Sequence, residues 1–259
     1  MRRVLIIAGS DPSGGAGIQA DLKAVTCLGG YAMTAITALT VQNTQGVTDV
    51  MAVPEAIITA QAQACLNDIG ADAVKTGMLG TIPVVETVAA LLDEAGVFSV
   101  IDPVMVAKGG HPLLPSQAIE AIRTLLIPRA GLLTPNAPEA AVLTGIEVVD
   151  EASQRRAGEA LLTMGANAVL MKGGHIDGEE VVDWLMSRDG EERYVSQRVN
   201  TRHTHGTGCT LASACATLAT AERPLAESVG MARDYVLGAI LMAPGLGHGH
   251  GPLRHNWVL

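Results

Sequence analysis

The chain has 259 residues, of which 48% are hydrophobic and only 2% aromatic, and its formal net charge is −9. That length suffices for one large domain or two small ones. The acidic balance and the scarcity of aromatic side chains exclude a basic phosphate-binding surface and a base-stacking platform, so we predict no nucleic-acid partner. The four cysteines form no CxxC pair, which is typical of reduced thiols in a cytoplasmic protein.

One long uncharged stretch, residues 24–48, raises the question of a membrane segment. It contains Gly29-Gly30 and several threonines, which divide it into a helix end, a turn and a strand. A membrane-spanning helix needs about 20 consecutive apolar residues. We therefore predict no membrane partner.

In chain order, short apolar runs alternate with helix-forming segments from the first run, Val4–Gly9, onward. The predicted strands are 4–9, 32–42, 47–53, 71–79, 97–105, 130–136 and 166–174, followed by a hairpin over 180–199 that turns at Asp189-Gly190. The predicted helices are 16–29, 54–70, 82–96, 116–127, 137–145, 151–165, 210–221 and 225–243.

This alternation predicts right-handed βαβ units and an α/β fold of three layers, with a mostly parallel central sheet between helices on both faces. No linker or change in composition divides the chain, so we predict a single domain over residues 1–259. Ligands of such sheets bind outside the carboxyl ends of the strands. The glycine-rich and charged segments at those ends are therefore expected to converge.

The loop after the first strand excludes two common nucleotide-binding motifs. Residues 15–20 match GxGxxA, but no acidic residue occurs between Asp21 and Asp49, where a dinucleotide site needs one. Residues 9–14 could begin a P-loop, but Gly15-Ala16 stands where Lys-Ser/Thr is required. From its position alone, Asp21 is either a solvated helix residue or a ligand-binding carboxylate.

Asn136 and Glu139 stand three residues apart at the start of a predicted helix. An amide and a carboxylate so placed suit Mg²⁺ held partly through water. The same spacing suits a capping box that closes the first turn of the helix. The spacing alone leaves both interpretations open.

Lys172 follows a predicted strand and precedes two glycines, so it is either a phosphate-binding lysine or a solvated lysine at a turn.

A glycine-rich turn before a helix consists of Gly206, Thr207, Gly208 and Cys209. Their backbone N–H groups, together with the positive end of the helix, could form an anion hole. The same field is expected to lower the pKa of the Cys209 thiol and make it a general base. The alternative is a small buried cysteine in a helix cap.

Seven colinear segments resemble one family. They are AGSDPSGGAGIQADLKA, ITALTVQNTQGV, KTGMLG, DPVMVAKGG, TPNAPEA, LMKGGH and HGTGCT. Their order and spacing resemble bacterial hydroxymethylpyrimidine kinase/phosphomethylpyrimidine kinase of thiamine biosynthesis, a family of the ribokinase-like superfold. The resemblance covers the chain from near residue 4 to the GHGHGP tail.

The resemblance implies an ATP- and Mg²⁺-dependent kinase that phosphorylates 4-amino-5-hydroxymethyl-2-methylpyrimidine twice, first on its alcohol and then on the monophosphate. It implies that Asp21 and Gln42 hold the aminopyrimidine while Met78 and Val104 pack against its ring. Glutamine suits that role because one amide offers both a donor and an acceptor.

At the phosphate end, the resemblance implies that Asn136 and Glu139 organise Mg²⁺ and the ATP phosphates and that Lys172 binds phosphate. It makes the 206–209 turn the anion hole and Cys209 the base for the hydroxymethyl group. The loop over 104–112, with Gly109-Gly110, is predicted to close over the pyrimidine.

Several alternatives remain open at this point. A pyridoxal or pyridoxine kinase of the same family would act on a similar six-membered ring with a hydroxymethyl arm. A hydrolase could use Cys209 with His203 or His205, although no third orienting residue is evident. A non-catalytic pyrimidine-binding protein is also conceivable. A homodimer is common for such folds, and no fused thiamine-phosphate synthase is expected in this chain.

Overall fold

The computed structural model describes residues 1–105 and 117–259. Its strands are β1 (Arg3–Ser10), β2 (Tyr31–Asn43), β3 (Gly46–Ala52), β4 (Ala73–Thr76), β5 (Phe98–Ile101), β6 (Leu132–Leu133), β7 (Ala168–Met171), β8 (Glu180–Ser187) and β9 (Gly190–Gln197). Its helices are α1 (Gly17–Cys27), α2 (Glu55–Asp68), α3 (Ile82–Ala95), α4 (Ala118–Ala121), α5 (Ala137–Thr144), α6 (Glu151–Thr163), α7 (Thr207–Leu218) and α8 (Leu225–Leu241).

The strands named above form one sheet, in the order β3-β2-β1-β4-β5-β6-β7-β8-β9. Six adjacent strands of this order are parallel to one another: β2, β1, β4, β5, β6 and β7. The outer strand β3 and the β8–β9 hairpin pair antiparallel. β1 lies in the interior of the sheet because its continuous apolar run, Val4 to Ala8, is buried on both faces.

Two apolar cores lie on opposite faces of this sheet. One joins the sheet to α2, α3, α5 and α6, and the other joins it to α1, α7 and α8. Helix α7 is buried over its whole length after Cys209, which its run of Ala, Ser, Thr and Cys permits because small side chains let neighbouring helices approach. The predicted three-layer α/β architecture is confirmed.

Two predicted elements differ in detail. The helix predicted over 116–127 is regular only over Ala118–Ala121 and continues as a π turn to Leu126 and a 3₁₀ turn to Arg129. Pro128 lies in this 3₁₀ turn and, having no N–H to donate, cannot continue the wider hydrogen-bond pattern before it. The hairpin turns at Arg188-Asp189, one residue earlier than predicted, and Gly190 pairs with Ser187.

No helix in residues 1–105 and 117–259 combines the length and apolar character needed to cross a membrane. The loop predicted to close, over 104–112 with Gly109-Gly110, lies outside the described residues from residue 106 onward.

Candidate active site

A cavity of about 540 Å³ opens at the carboxyl ends of the parallel strands. Its walls come from the exits of β1, β4, β5 and β7, from the end of β2, and from the starts of α1, α5 and α7. Ten of the residues selected from the sequence line it: Gln42, Met78, Val104, Asn136, Glu139, Lys172, Gly206, Thr207, Gly208 and Cys209. The parallel sheet therefore brings together segments that are far apart in the chain.

The turn from Gly206 to Cys209 is formed by a left-handed glycine that starts α7. Gly206 has φ +81° and is the N-cap residue, so the helix begins at Thr207 and Cys209 lies in its first turn. A Cβ atom on Gly206 would collide with the carbonyl oxygen of Gly15, which brings the turn against the loop after β1. Free backbone N–H groups and the positive end of α7 therefore face the cavity.

The Cys209 thiol is more basic than predicted. Burial raises its pKa to about 12, and the opposing effect of the nearby Lys75 ammonium does not compensate. Asp21 and Asp102 raise it further. The expectation that the helix end lowers this pKa is therefore wrong for the free enzyme, because loss of hydration outweighs the favourable charges. The sulfur is a neutral thiol at neutral pH, and Gly17 supplies it with a backbone hydrogen bond.

Lys172 lines the cavity beside the first turn of α7. Its Nζ is 3.0 Å from Asp102 Oδ1 and 3.9 Å from Glu139 Oε2. Burial lowers the pKa of Lys172, but the two carboxylates raise it more, so the ammonium is retained. A Cβ atom on Gly208 would lie 3.4 Å from this nitrogen, so the lysine stands directly beside the 206–209 turn. A solvated lysine is therefore excluded.

Asn136 and Glu139 form a capping box, which is one of the two arrangements that their spacing predicted. Asn136 Oδ1 accepts a hydrogen bond from the Glu139 N–H at 2.9 Å, and Glu139 Oε2 accepts one from the Asn136 N–H at 2.8 Å. The other carboxylate oxygen, Oε1, is left for a ligand. Burial raises the pKa of Glu139 to about 7, opposed by Lys172 and reinforced by Asp102. Capping and ligand binding are thus compatible in the same residue.

Asp102 is not among the site residues predicted from the sequence, although it opens DPVMVAKGG, one of the segments that carry the family resemblance. It is 3% exposed, lines the cavity and accepts hydrogen bonds from Lys172 and Thr134. A single aspartate after a strand carries no signal of its partner, because Lys172 is 70 residues away.

Gln42, which also lines the cavity, lies beside a buried Asp11–His205 pair. His205 Nε2 is 2.8 Å from Asp11 Oδ2 and 3.5 Å from Gln42 Nε2. Because a carboxylate only accepts, His205 Nε2 carries its hydrogen toward Asp11, and the amide N–H groups of Gln42 remain available to a ligand. Burial alone would raise the pKa of Asp11, but the hydrogen bonds from His205 and Ser13 hold it below its usual value. Asp11 and His205 were also missed as a pair.

Asp21 is placed differently from both sequence interpretations. Its side chain is fully buried, does not line the cavity, and accepts two hydrogen bonds of 2.9 Å from Lys75 Nζ. Ser213 Oγ donates a third, at 2.7 Å. With its oxygens so occupied and its side chain away from the cavity wall, Asp21 is not placed to hold a ring directly, and it is not a solvated helix residue.

The comparisons with known proteins agree with this geometry. The profile of the phosphomethylpyrimidine kinase family matches residues 11–254. This chain belongs to that family. It is 47% identical to the hydroxymethylpyrimidine/phosphomethylpyrimidine kinase of Streptomyces coelicolor, over 99% of this chain and 95% of the relative. It is also 48% identical, over 97% of this chain, to the thiamine biosynthesis bifunctional protein ThiED of Geobacter sulfurreducens, of which it spans only 52%.

Among solved structures, the chain is similar to Bacillus subtilis pyridoxal kinase, described as an ADP complex. The TM-score is 0.91 at 35% identity, and the match covers 98% of this chain and 97% of the other. The predicted ribokinase-like fold and kinase class are therefore confirmed. The hydrolase alternative is wrong, and His205, one of its two candidate histidines, is paired with Asp11.

Proposed function

We propose that this protein transfers phosphate from ATP to 4-amino-5-hydroxymethyl-2-methylpyrimidine and then to the resulting monophosphate, as a kinase of thiamine biosynthesis. The observation that carries the proposal is that one cavity is lined by Gln42, by Lys172 and by the 206–209 turn. Relatives named hydroxymethylpyrimidine/phosphomethylpyrimidine kinase, at 47% and 44% identity, support the same activity.

The ring end of the cavity suits an aminopyrimidine. Gln42 can donate from its amide nitrogen and accept at its amide oxygen, which matches an amine beside a ring nitrogen. Met78 and Val104 line the same cavity and offer apolar contact to a flat ring. Gly9 leaves room for this arrangement, since a Cβ atom there would lie 3.2 Å from Met78 Sδ.

The phosphate end suits a nucleotide with Mg²⁺. Glu139 Oε1 and the carboxylate of Asp102 are hard oxygen donors beside an ammonium, which is the donor chemistry that Mg²⁺ accepts while it keeps several waters. Glu139, with Asn136 holding it in place through the capping box, would hold the ion through water. When bound, the ion would neutralise charge on the phosphate oxygens.

Catalysis by these residues is positioning and charge stabilisation. The Lys172 ammonium binds the transferred phosphoryl group, and the N–H groups of the turn at the start of α7 stabilise its equatorial oxygens. In the first step, the small fraction of Cys209 that is thiolate takes the hydroxyl proton on Sγ, while the new O–P bond forms and the P–O bond to ADP breaks. The second nucleophile is already an anion and needs no base, and a neutral thiol does not repel it.

A pyridoxal or pyridoxine kinase is the second candidate, because a pyridoxal kinase shares the fold at a TM-score of 0.91. The sequence identity of 47% to a pyrimidine kinase, against 35% to this pyridoxal kinase, favours the pyrimidine. We also propose that the enzyme acts in the cytoplasm, since all four cysteines are free, and that it works as a homodimer.

The test is to incubate purified protein with Mg-ATP and hydroxymethylpyrimidine, with pyridoxal in a parallel reaction, and to identify the products by mass. We expect the pyrimidine monophosphate to appear first and the diphosphate to follow. Phosphate on pyridoxal alone would retain the fold and the catalytic residues but overturn the substrate. No product from either substrate would overturn the proposed function.

A further inference from the structure

The ion pair between Lys75 and Asp21 lies under the active site without lining the cavity. Both side chains are 0% exposed, and both carboxylate oxygens of Asp21 are 2.9 Å from Lys75 Nζ. Lys75 comes from β4, whose other side chains are also buried. Taking two charges out of water rarely stabilises a fold more than apolar residues of the same size would. The position of this pair therefore calls for a role beyond stability.

Two facing helices place the pair one turn below the reactive sulfur. At the upper level, the starts of α1 and α7 touch, because a Cβ atom on Gly206 would collide with the Gly15 carbonyl and lie 3.1 Å from Ala16 Cα, and Gly17 helps to lower the pKa of Cys209. Four residues later in both helices, at the lower level, Asp21 accepts a 2.7 Å hydrogen bond from Ser213. Residues four apart lie one above the other on the same helix face. Lys75 is thus a buried cation that acts on Cys209 from below.

We infer that Lys75 and Asp21 are positioning residues for the proposed phosphorylation, in which Lys75 stabilises negative charge on the Cys209 sulfur and Asp21 holds and partly offsets the Lys75 charge. The role in catalysis rests on the proposed function, whereas the effect of the two charges on the Cys209 thiol does not. Four charged groups act on or around this sulfur: Lys75 and Asp21 from below, and Asp102 and Lys172 from the cavity side. Lys75 favours the thiolate, whereas the two aspartates disfavour it.

The two members of the pair are therefore expected to have opposite effects. Lys75→Met removes the positive charge, so the thiolate of Cys209 becomes rarer at any given pH. Asp21→Asn keeps a hydrogen-bond acceptor for Ser213 but leaves the Lys75 charge uncompensated, so the thiolate becomes more common. A pair that served only to hold the fold together would loosen in both variants and would expose Cys209 in both.

The experiment measures the rate at which iodoacetamide alkylates Cys209 in the free enzyme between pH 7 and 10. Peptide fragmentation separates Cys209 from the buried Cys215, and Lys23→Met is the matched control because Lys23 is exposed on the same helix. We expect alkylation about three- to tenfold slower in Lys75→Met and faster by a similar factor in Asp21→Asn, for a pKa change of about one unit. The rate of the control should stay within about twofold of wild type.

If a single variant does not fold, the double variant Lys75→Met/Asp21→Asn removes both charges and should still be alkylated more slowly than wild type. Changes in the same direction in both single variants, or changes no larger than those of Lys23→Met, would overturn the inference. In kinase assays, Lys75→Met should shift the pH profile of the first phosphorylation to higher pH and leave that of the second in place. Alkylation needs no substrate, so a failed substrate assignment and a failed electrostatic role give different results.

Discussion

At the scale of single residues, Cys209 is a half-buried cysteine on the cavity wall. Because burial raises the pKa of this thiol to about 12, the resting enzyme contains very little thiolate. A base of this kind helps only a nucleophile that must lose a proton. The structure therefore makes the two proposed phosphorylations differ in their dependence on one atom.

Cys209→Ser should reduce kcat of the alcohol phosphorylation by about 10²- to 10⁴-fold, which is the usual contribution of a general base, because a serine hydroxyl is a far weaker acid than a thiol. The phosphorylation of the monophosphate should fall much less. The measurement is kcat for each step with purified substrate, and Cys65→Ser, at a half-buried cysteine outside the cavity, is the control. Equal losses in both steps would contradict the role as a base.

The site residues that can be predicted from the sequence stand in glycine-rich or strand-end segments, because such segments converge at one edge of a parallel sheet. Their partners were not visible. The Asp11–His205 contact joins positions 194 residues apart, and Lys75–Asp21 joins positions 54 apart. Asp21 was misplaced because a helix position does not show whether the facing surface is solvent, ligand or another charged side chain.

At the scale of elements, the start of α5 serves as a cap and as part of the phosphate end of the cavity. Glu139→Gln separates these uses, because glutamine also closes a capping box but brings no charge to a metal ion. We expect Tm to change by no more than about 2 °C. We expect kcat at fixed Mg²⁺ to fall by about 10- to 100-fold or more.

The control is Asp150→Asn in the capping box of α6, which lies outside the cavity and should leave both Tm and kcat close to wild type. The measurements are a thermal melt and a Mg²⁺ titration of the kinase rate. Wild-type activity in Glu139→Gln would mean that the carboxylate only caps the helix.

The turn before α7 gives a second test at this scale. Gly206→Ala should cost about 2 kcal/mol or more in the free energy of unfolding, because the new methyl group meets the Gly15 carbonyl as well as a left-handed backbone. Its kcat should fall by about 10²-fold or more as the N–H groups move. Gly96→Ala, which also has positive φ (+59°) but open space around it, should cost only about 1 kcal/mol and keep full activity. Urea unfolding and kcat measure both effects, and a Gly206→Ala enzyme with normal kcat would contradict the anion-hole role.

The spacing of apolar residues and the turn residues predicted most helices and strands, because each of these signals lies within the segment that it describes. The exceptions are places where tertiary contacts decide. β6 shrinks to Leu132–Leu133 between longer neighbours, although the apolar run predicted a strand over 130–136. The segment Ile122–Leu126 winds as a π turn while Arg123 donates to the carbonyl groups of Val142 and Leu143 on α5. No local pattern encodes those partners.

At the scale of the whole molecule, the C-terminal segment is tied to the active site through α7. His255 is 4% exposed, and its Nε2 is 2.9 Å from Thr210 Oγ1. The Thr210 hydroxyl donates its hydrogen to the Gly206 carbonyl at 2.8 Å, so it accepts from His255. The Tyr235 hydroxyl donates to the His255 carbonyl at 2.7 Å, so α8 joins the same contact. The end of the chain thus supports the turn that carries Cys209.

This contact predicts how stability depends on pH. Burial lowers the pKa of His255 to about 4, helped by the nearby Lys23 charge and opposed by a hydrogen bond to Leu253. The unfolded chain titrates near 6.5, so above that pH the histidine is neutral in both states and its contribution is fully present. As pH falls from 6.5 toward 4, the unfolded state binds a proton that the folded state does not, and about 3 kcal/mol of stability is lost.

His255→Gln removes the titrating group but keeps a polar side chain at the end of the tail. We expect the free energy of unfolding in urea to fall less steeply between pH 6.5 and 4 in this variant than in wild type, while the two curves run parallel above pH 7. Lys23→Met tests the stated cause, since it should raise the pKa of His255 and reduce the acid loss slightly. Parallel curves for wild type and His255→Gln at all pH values would show that His255 binds its proton equally well in the folded and the unfolded chain. The C-terminal segment would then not exclude water from the first turn of α7.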